Sequence, residues 1–520
     1  MAQATRKPFS APFSAPLNAR FSALTLAATT ALALTLTACG GGGGGSTVTS
    51  TESTSGAASY SGAVSGLGSI VVNGVRFSTS GATVADPDDS SQRYLRAFAL
   101  GTTVSVQGVV DDNSTQASAS SITVHGGVRG QVTAVNTGVT PNTLTVAGQS
   151  IAVNANTVYE GLNSAALTLS GLQSAVAGGT VYAEVYVTGD AASGFVATRV
   201  ELKTSGEVLA SGHAVVGKVV AGSLDAVNGR FDLLLRNGVT LTINYPNGAL
   251  RPVGATLNEG ALVRVLSPNS TSSLVDGDTL NATKVIVKGE RLAAGRAKLR
   301  GVVAAINGSL WTLGDVTVDV SQVREVEGFA SLAAVTTGTV VKVKGSFVNG
   351  VLVAREVESE DAERVREGGG VKLYGVVTAS DSGARTFSVQ GVSVAVPVGV
   401  TVPAVGSYIE VLAQLSNGVL TLVRSSTGDD RIGRDFEVHG TASCTQGSAD
   451  LMATFNLTLR NGTATSVNGR NAVIELEDNV DMTVSNSGAR TCVVEVKGTP
   501  TSGGITATKI EVKSRTASAG

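Results

Sequence analysis

Apolar and polar residues alternate with a period of two along most of this chain. In the segment "VVKVKG", Val341 and Val343 point to one side of an extended chain, and Lys342 and Lys344 point to the other. A strand with one apolar face is a half-buried strand, because successive side chains of a strand point to opposite faces. The alternation therefore predicts β-strands that each line a core on one side.

Three segments end in nearly the same way, which predicts a repeated domain. Val200 and Leu202 form the apolar face of the first ending, and Arg199, Glu201 and Lys203 form its charged face, which we expect to point outward. The outward interpretation also applies to a strand in which Tyr182, Glu184 and Tyr186 share a face. The three endings are "ATRVELK" at 197–203, "ATKVIVK" at 282–288 and "ATKIEVK" at 507–513.

Each repeat has the same order of signals. It opens with Gly-x-Val, continues with a Gly turn between two apolar runs, and closes with a Gly-led strand and the charged ending. Asn73-Gly74 and Asn237-Gly238 predict hairpin turns in which both central residues have positive φ. The predicted domains are residues 59–126, 127–206, 207–290, 296–361, 370–428 and 435–516, and their opening glycines are Gly62, Gly130, Gly217, Gly301, Gly375 and Gly440.

The order of elements favours a small barrel. Some repeats insert a short helical pattern before the Gly-led strand, as where Tyr94, Leu95 and Phe98 recur at helical spacing. Three strands, a short helix and two strands is the order of the OB-fold, a five-stranded barrel. We therefore predict an all-β protein with a tandem array of about six OB-like barrels. Immunoglobulin-like sandwiches are the alternative, since their strands have similar spacing.

Composition agrees with this class. Gly accounts for 64 of 520 residues, and only 15% of residues are charged, as suits strands joined by tight turns. Aromatic residues are 4% of the chain, too few for the aromatic girdles of an outer-membrane barrel. Lys and Arg number 38 against 40 Asp and Glu. Without a basic excess to neutralise phosphates, the sequence predicts no nucleic-acid partner.

The N-terminus predicts export and a lipid anchor. Residues 1–38 join a positively charged start to an apolar run that ends in "LTA" before Cys39. This order resembles the lipobox of bacterial lipoproteins. The resemblance implies that Cys39 is acylated, becomes the first mature residue and anchors the protein in a membrane. Gly40 after the cysteine implies the outer membrane. Residues 39–58 then form a flexible tether. A plain secretory signal is the alternative.

The repeated motif also resembles a known domain. Its succession of structural glycines and valines is similar to a bacterial repeat domain of unknown function, which occurs in tandem in Gram-negative lipoproteins and is predicted to be an OB-like barrel. The resemblance covers roughly residues 60–515, and the last repeat departs from it by a long insertion. The family has no catalytic residues that could be assigned to this chain.

Two further cysteines predict a disulfide. Cys444 and Cys492 lie in the last repeat, and an even pair remains once Cys39 carries lipid. Disulfides persist in exported proteins, so we expect these residues to be bonded. Free buried thiols and a metal site are the alternatives.

No motif predicts catalysis, a metal or a cofactor. His125, His213 and His439 lie at the edges of repeats, without a nucleophile elbow or a triad pattern. Residues 86–89, "DPDD", lack the spacing of a calcium loop, and we interpret them as solvated acids. The sequence therefore favours a non-enzymatic envelope lipoprotein with a protein or polysaccharide partner. The alternative is an envelope carbohydrate-binding adhesin or a carbohydrate-acting enzyme.

Overall fold

Nearly all regular structure in this protein is β-strand. A computed structural model describes residues 56–517 except 89–93, 95–96, 111–115, 189–193, 269–273, 289–295, 314–315, 349–350, 360–369, 428–436, 461, 478–479, 485–487 and 502. Strands dominate these residues, so the all-β prediction is confirmed. Cys39 and the predicted signal peptide lie outside the described residues. No helix within the described part of the chain is long and apolar enough to span a membrane.

Six β-units follow one another along the chain, and each is built on a closed ring of strands. In β-unit 1, residues 56–124, a long opening strand pairs with the first strand of a hairpin and with the Gly-led strand. The second hairpin strand pairs in parallel with the closing strand, which completes the ring. A ring of this kind is a small barrel and not a two-sheet sandwich. Its strands are β1 (Gly56–Leu67), β2 (Ile70–Val72), β3 (Val75–Ser78), β4 (Thr83–Ala85), β5 (Thr103–Val110) and β6 (Gln116–Val124).

The next two β-units repeat this order. A short fourth strand pairs in parallel with the closing strand, and the closing strand of β-unit 3 is split in two. β-unit 2, residues 128–203, contains β7 (Val128–Asn136), β8 (Asn142–Val146), β9 (Gln149–Val153), β10 (Val158–Glu160), a 3-10 helix (Leu162–Ser164), α1 (Leu169–Gly178), β11 (Val181–Thr188) and β12 (Val196–Lys203). Helix α2 (Ser205–Ser211) leads to β-unit 3, residues 213–287, which contains β13 (His213–Val219), β14 (Arg230–Leu235), β15 (Thr240–Asn244), β16 (Leu250–Arg251), β17 (Leu262–Ser267), β18 (Thr279–Asn281) and β19 (Lys284–Val287).

The last three β-units have the same ring. β-unit 4, residues 296–359, contains β20 (Arg296–Asn307), β21 (Leu310–Leu313), β22 (Val316–Asp319), β23 (Glu325–Glu327), a 3-10 helix (Leu332–Ala334), β24 (Val340–Val348) and β25 (Val351–Ser359). β-unit 5, residues 370–427, contains β26 (Gly370–Asp381), β27 (Thr386–Val389), β28 (Val392–Ala395), β29 (Tyr408–Ser416) and β30 (Val419–Thr427). β-unit 6, residues 437–517, contains β31 (Glu437–Ser443), α3 (Ser448–Leu451), β32 (Thr454–Thr458), β33 (Ala464–Asn468), β34 (Val473–Leu476), β35 (Arg490–Thr501) and β36 (Gly504–Ala517).

The opening glycines lie inside the opening strands, where the hairpin crosses them closely. A Cβ atom on Gly217 would lie 2.6 Å from the carbonyl oxygen of Leu234, and one on Gly440 would lie 2.6 Å from that of Thr458. These positions need glycine because any side chain would collide with a neighbouring backbone.

The barrels are joined more closely than a row of separate modules. β1 pairs in parallel with β26 through Gly66 and Leu67, and the apolar cores of β-units 1 and 5 form one cluster. β-units 2 and 3 also share a core and are joined where Ala214 pairs with Arg129. The described residues from Gly56 to Ala517 form one compact body. The predicted domain boundaries stay a prediction.

Some local expectations differ from the structure. Residues 56–58 of the predicted tether already belong to β1. Asn73 and Gly74 have φ of 49° and 78°, as predicted for their hairpin. At the second hairpin only Gly238 has a positive φ, because its hydrogen bonds form a wider turn in which Leu235 N–H donates to Val239 O. In the predicted helix, Tyr94 and Ala97 are helical, and Leu95 lies outside the described residues.

Candidate binding cleft

A row of charged residues crosses the sheet of β-unit 2 on the face opposite its core. The strand register places Arg129 opposite Glu184, Glu184 opposite Glu201, and Glu201 opposite Glu160. Residues in register on adjacent strands share a face and lie close together. We name these four residues the charged row of β-unit 2.

The expectation that such faces point into solvent is wrong here. Arg129 is 3% exposed, Glu184 is 1% exposed and Arg199 is 1% exposed. Tyr186, on the neighbouring position of the same face, is completely buried. The alternation correctly separates the two faces of each strand, but the outer face is covered by other β-units.

Charges from three β-units meet above Arg129. Its guanidinium lies 2.7 Å from Asp88 of β-unit 1 and 3.3 Å from Glu184. Arg264 of β-unit 3 contacts the same two carboxylates at 2.8 and 3.0 Å. All four side chains are at most 3% exposed. The interpretation of residues 86–89 as solvated acids is therefore wrong for Asp88, whose carboxylate contacts two buried cations.

Arg199 joins β-unit 2 to β-unit 1 in a similar way. Its Nη1 donates to the backbone oxygen of Leu100 at 2.9 Å, and its Nη2 lies 2.7 Å from the Glu160 carboxylate. Beside it, Thr198 Oγ1 donates to Gly101 O at 2.6 Å. The charged face of β12 is thus an interface between barrels.

Arg460 of β-unit 6 binds the acidic end of the row. It stands in the hairpin between β32 and β33, and its Nη2 lies 2.8 Å from Glu160 Oε1 and 3.3 Å from Glu201 Oε1. Lys203 Nζ lies 2.7 Å from the same Glu201 oxygen. A guanidinium shared between two carboxylates forms strong charge-assisted hydrogen bonds.

These cations keep the two carboxylates ionised. Burial alone would raise the pKa of Glu201, but Arg199, Arg460 and Lys203 hold it below its usual value. Burial likewise raises the pKa of Glu160, but Arg199 and Arg460 lower it by more, so the net effect is a lowered pKa. Both groups therefore act as fixed anions at neutral pH.

A cleft of about 550 Å³ opens beside this cluster, between β-units 2 and 6. Glu160, Glu201, Lys203 and Arg460 lie in its wall, together with both ends of the 3-10 helix after β10. Asn163 and Ser164 of that helix have φ of 54° and 59°, a left-handed conformation that is costly for residues other than glycine. No aromatic side chain lines the cleft among the described residues.

β-unit 6 is held in place by a loop of β-unit 1. Glu437, which is 2% exposed, accepts hydrogen bonds from Ser69 Oγ and Ser78 Oγ at 2.8 Å each and from Thr79 Oγ1 at 3.4 Å. Ser80 Oγ donates to Glu511 at 2.6 Å. Hydroxyl groups of one barrel thus bind the carboxylates of another, which fixes the hairpin of Arg460 against β-unit 2.

β-unit 6 has its own charged row, in which Glu495 lies opposite Glu511 and Glu511 lies opposite Glu475. His439 lies opposite Glu495 in the strand register and stacks on Phe98 with ring centres 3.8 Å apart. Glu495 is completely buried, and Lys513 Nζ lies 3.2 Å from its Oε2. Burial and the Glu437 carboxylate raise the pKa of Glu495 to about 7, against the effect of Lys513. Burial lowers the pKa of His439 to about 3.

The remaining residues singled out in the sequence occupy separate positions. Cys444 and Cys492 are joined by a disulfide in the core of β-unit 6. His125 Nε2 lies 2.7 Å from Ser105 Oγ, and His213 is buried in β13. Cys39 lies outside the described residues. Sequence reasoning missed Arg460 and Arg264 because each stands alone in its own repeat, and the carboxylates that bind it are distant in sequence.

Three of the β-units match a known domain family. Residues 61–123, 129–201 and 300–358 match the model of DUF5666, a domain of unknown function. These segments correspond to β-units 1, 2 and 4. Three segments of this all-β chain are therefore similar to DUF5666, which confirms the predicted resemblance to a tandem repeat domain of unknown function.

Similarity to individual proteins is weak. No curated protein matches the chain. A structure of Drosophila Unr CSD456 is 12% identical, covering 42% of this chain and 98% of its own, with a TM-score of 0.14. A Streptococcus pneumoniae multidomain protein with nucleic acid binding domains is 10% identical, covering 42% of this chain and 73% of its own, with a TM-score of 0.11. TM-scores this low carry no argument about function.

Proposed function

We propose that this protein is a non-catalytic lipoprotein of the cell envelope that binds a polar partner, protein or polysaccharide, in the cleft between β-units 2 and 6. The observation that carries the proposal is the cleft itself. Its volume of about 550 Å³ falls in the range of ligand sites. Its wall offers fixed guanidinium, ammonium and carboxylate groups, which suit a ligand rich in hydroxyl or amide groups.

The electrostatics favour binding over carbohydrate hydrolysis. A glycosidase needs a carboxylic acid with a raised pKa to protonate the leaving group. Glu160 and Glu201 are instead held as anions by the cations around them, and the pKa of each is lowered. A carboxylate in this state is an acceptor of hydrogen bonds and a poor proton donor.

The anchor completes the proposal. Acylation of Cys39, predicted from the lipobox-like start, would hold the barrels at the outer membrane of a Gram-negative bacterium, since several acyl chains give stable binding. Metabolic labelling with a fatty-acid analogue tests it. We expect the wild-type chain to incorporate label and Cys39→Ala to incorporate none. Equal labelling of the two chains would disprove the anchor.

The cleft is tested by binding. A glycan array and a pull-down from envelope extract should each be run with wild type, Lys203→Gln and Arg460→Gln. Because each of these two variants loses a charge-assisted hydrogen bond of about 1.5–3 kcal/mol to the partner, we expect its affinity for the partner to fall about 10- to 100-fold. Arg470→Gln is the matched control, since Arg470 is exposed on the same β-unit and does not line the cleft.

Two results would contradict the binding site. Unchanged affinity in Lys203→Gln and Arg460→Gln would place the partner elsewhere on the protein. Hydrolysis of a glycan by the wild-type chain would favour the enzymatic alternative. Circular dichroism of each variant separates loss of binding from loss of fold.

A further inference from the structure

β-unit 4 carries a second copy of the acidic pair that binds Arg460. Glu327 lies opposite Glu358, and Glu358 lies opposite Lys342. These positions correspond to Glu160, Glu201 and Glu184 of β-unit 2 in the strand register. In both β-units the acid of the short fourth strand is followed by glycine, Gly161 or Gly328, so Glu327 and Glu358 are the counterparts of the pair that holds a guanidinium.

Glu327 and Glu358 lack a nearby cation that the equivalent acidic pairs of β-units 2 and 6 have. In β-unit 2 that cation is Arg199, two residues before Glu201, and in β-unit 6 it is Lys509, two residues before Glu511. In β-unit 4 the same position is Glu356. Carboxylate oxygens of Glu327, Glu356 and Glu358 lie within 4.8 Å of one another. We name these three residues the acidic seat.

The acidic seat is open and is only partly neutralised. Glu327 is exposed, and the side chains of Glu358 and Glu356 are 27% and 17% exposed. Lys342 pairs with Glu358 at 2.5 Å and Lys344 with Glu356 at 2.6 Å. Within the described ranges no cation pairs with Glu327. Three converging carboxylates with two cations leave a net negative charge.

The partner group that fits the acidic seat is also duplicated in this chain. Arg460 belongs to the sequence Leu-Arg-Asn-Gly at 459–462, and the same four residues recur at 235–238 in the hairpin between β14 and β15. The turns match. Leu459 N–H donates to Thr463 O at 2.7 Å, and Leu235 N–H donates to Val239 O at 2.8 Å. Arg236 therefore projects from the same kind of turn as Arg460.

Arg236 is available for a contact. It is exposed, its guanidinium lies beside Gly194 of β-unit 2, and in the part of the chain that the structure describes it forms no ion pair. One molecule therefore carries both halves of the contact between β-units 2 and 6 a second time, and among the described residues the two halves are not joined to each other.

We propose that Arg236 of one molecule binds Glu327 and Glu358 of a second molecule, so that the protein associates with itself head to tail. The contact between β-units 2 and 6 supplies the geometry of the guanidinium and the two carboxylates. A contact between two different surfaces does not close on itself as a two-fold dimer does, so it extends into rings or open chains. The proposal does not depend on what binds in the cleft.

Sedimentation velocity of the full chain carrying Cys39→Ala tests this association, because acyl chains are then unable to drive it. We expect the mass to rise with concentration beyond that of a dimer and to fall at high salt, which screens partly exposed charges. Arg236→Gln and the double variant Glu327→Gln/Glu358→Gln should each weaken association about 10- to 100-fold. Arg470→Gln and Glu410→Gln, also exposed, are the matched controls.

A mixture of the Arg236→Gln chain with the Glu327→Gln/Glu358→Gln chain tests the pairing of the two surfaces directly. The Arg236→Gln chain keeps an intact acidic seat, and the double variant keeps an intact Arg236. An equimolar mixture should form one-to-one dimers and nothing longer, since only one productive contact is left.

Three outcomes would overturn the proposal. The first is a wild-type chain with the mass of one copy at all concentrations up to about 1 mM, the weak end of specific association. The second is association by the variants equal to that of wild type. The third is association that survives Arg236→Gln but is abolished by a chelator, which would show that a divalent cation occupies the acidic seat.

Discussion

β-units 2 and 4 carry the same row of charged positions, yet the row of β-unit 4 is more exposed than that of β-unit 2. In β-unit 2 the row is covered by three other barrels, and the side chains of Glu184 and Glu201 are 2% and 11% exposed. In β-unit 4 their counterparts Lys342 and Glu358 are 11% and 27% exposed, and Glu327 is exposed. The strand register is the same in both, so the difference arises from the neighbours and not from the barrel itself.

This difference in burial determines where the loss of a charged side chain affects stability most strongly. A buried ion pair that loses one partner leaves an uncompensated charge, whereas an exposed pair is screened by water. The same kind of substitution should therefore have a large effect in β-unit 2 or β-unit 3 and a small one in β-unit 4.

The largest effect is expected for Arg264→Ala. This change removes one of the two guanidinium groups that contact Asp88 and Glu184 in a site that is at most 3% exposed. We expect the free energy of unfolding to fall by about 3–5 kcal/mol, measured by urea unfolding with far-ultraviolet circular dichroism. Lys344→Ala is the control and should cost less than about 1 kcal/mol. Equal losses in the two variants would remove the contrast between the rows.

The next largest effect is expected for loss of the disulfide of β-unit 6. β-unit 4 has no cysteine and therefore serves as the comparison. The Cys444–Cys492 bond has a sequence separation of 48 residues. In the chain-entropy account, opening a loop of this length costs on the order of 3–4 kcal/mol. We expect Cys444→Ser/Cys492→Ser to lose about 2–4 kcal/mol, with Trp311 fluorescence, which reports the core of β-unit 4, changing least. Two free thiols in the native oxidised protein would contradict the bond.

The free energy of unfolding should depend on pH through Glu495, in the charged row of β-unit 6. The folded-state pKa of Glu495 is about 7 against an ordinary 4.5, so the folded protein holds this proton more tightly than the unfolded chain. Its contribution to stability is complete below about pH 4.5 and is lost as the pH rises to 7.

Glu495→Gln removes that dependence. Between pH 4 and pH 8, we expect the stability of the variant relative to wild type to rise by on the order of 2–3 kcal/mol, measured by urea unfolding at each pH. The titration of His439 is common to both chains and largely cancels in the difference. A difference that does not vary with pH would show that Glu495 ionises normally.

The smallest effect is expected for Glu356→Arg, which gives β-unit 4 the cation that Arg199 provides in β-unit 2. Because the site is partly exposed, the free energy of unfolding should change by less than about 1 kcal/mol, followed through Trp311. Self-association should nevertheless weaken about tenfold or more, because the new guanidinium occupies the acidic seat. A stability loss above about 2 kcal/mol would mean that the two rows are not equivalent.

Much of the fold could be predicted from alternation, and less of the site. Alternation predicts that Val341 and Val343 face a core, and both are completely buried. The charged side of β12 was correctly separated from its apolar side, but alternation does not show what lies on top of a face. Glu184 and Arg199 are buried by residues distant in sequence, such as Asp88 and Leu100. The available signal was the recurrence of Leu-Arg-Asn-Gly at 235 and 459.

The buried junction of Asp88, Arg129, Glu184 and Arg264 restricts how the gene for this protein can change. Tandem repeats gain and lose copies by recombination, and in a solenoid each copy needs only its immediate neighbours. Here β-units 1, 2, 3 and 6 each provide a counter-ion that another barrel requires, and Arg460 extends that requirement to the last of the six β-units. Deleting one of these four repeats would leave a charge without its partner, so we expect them to be inherited as a set.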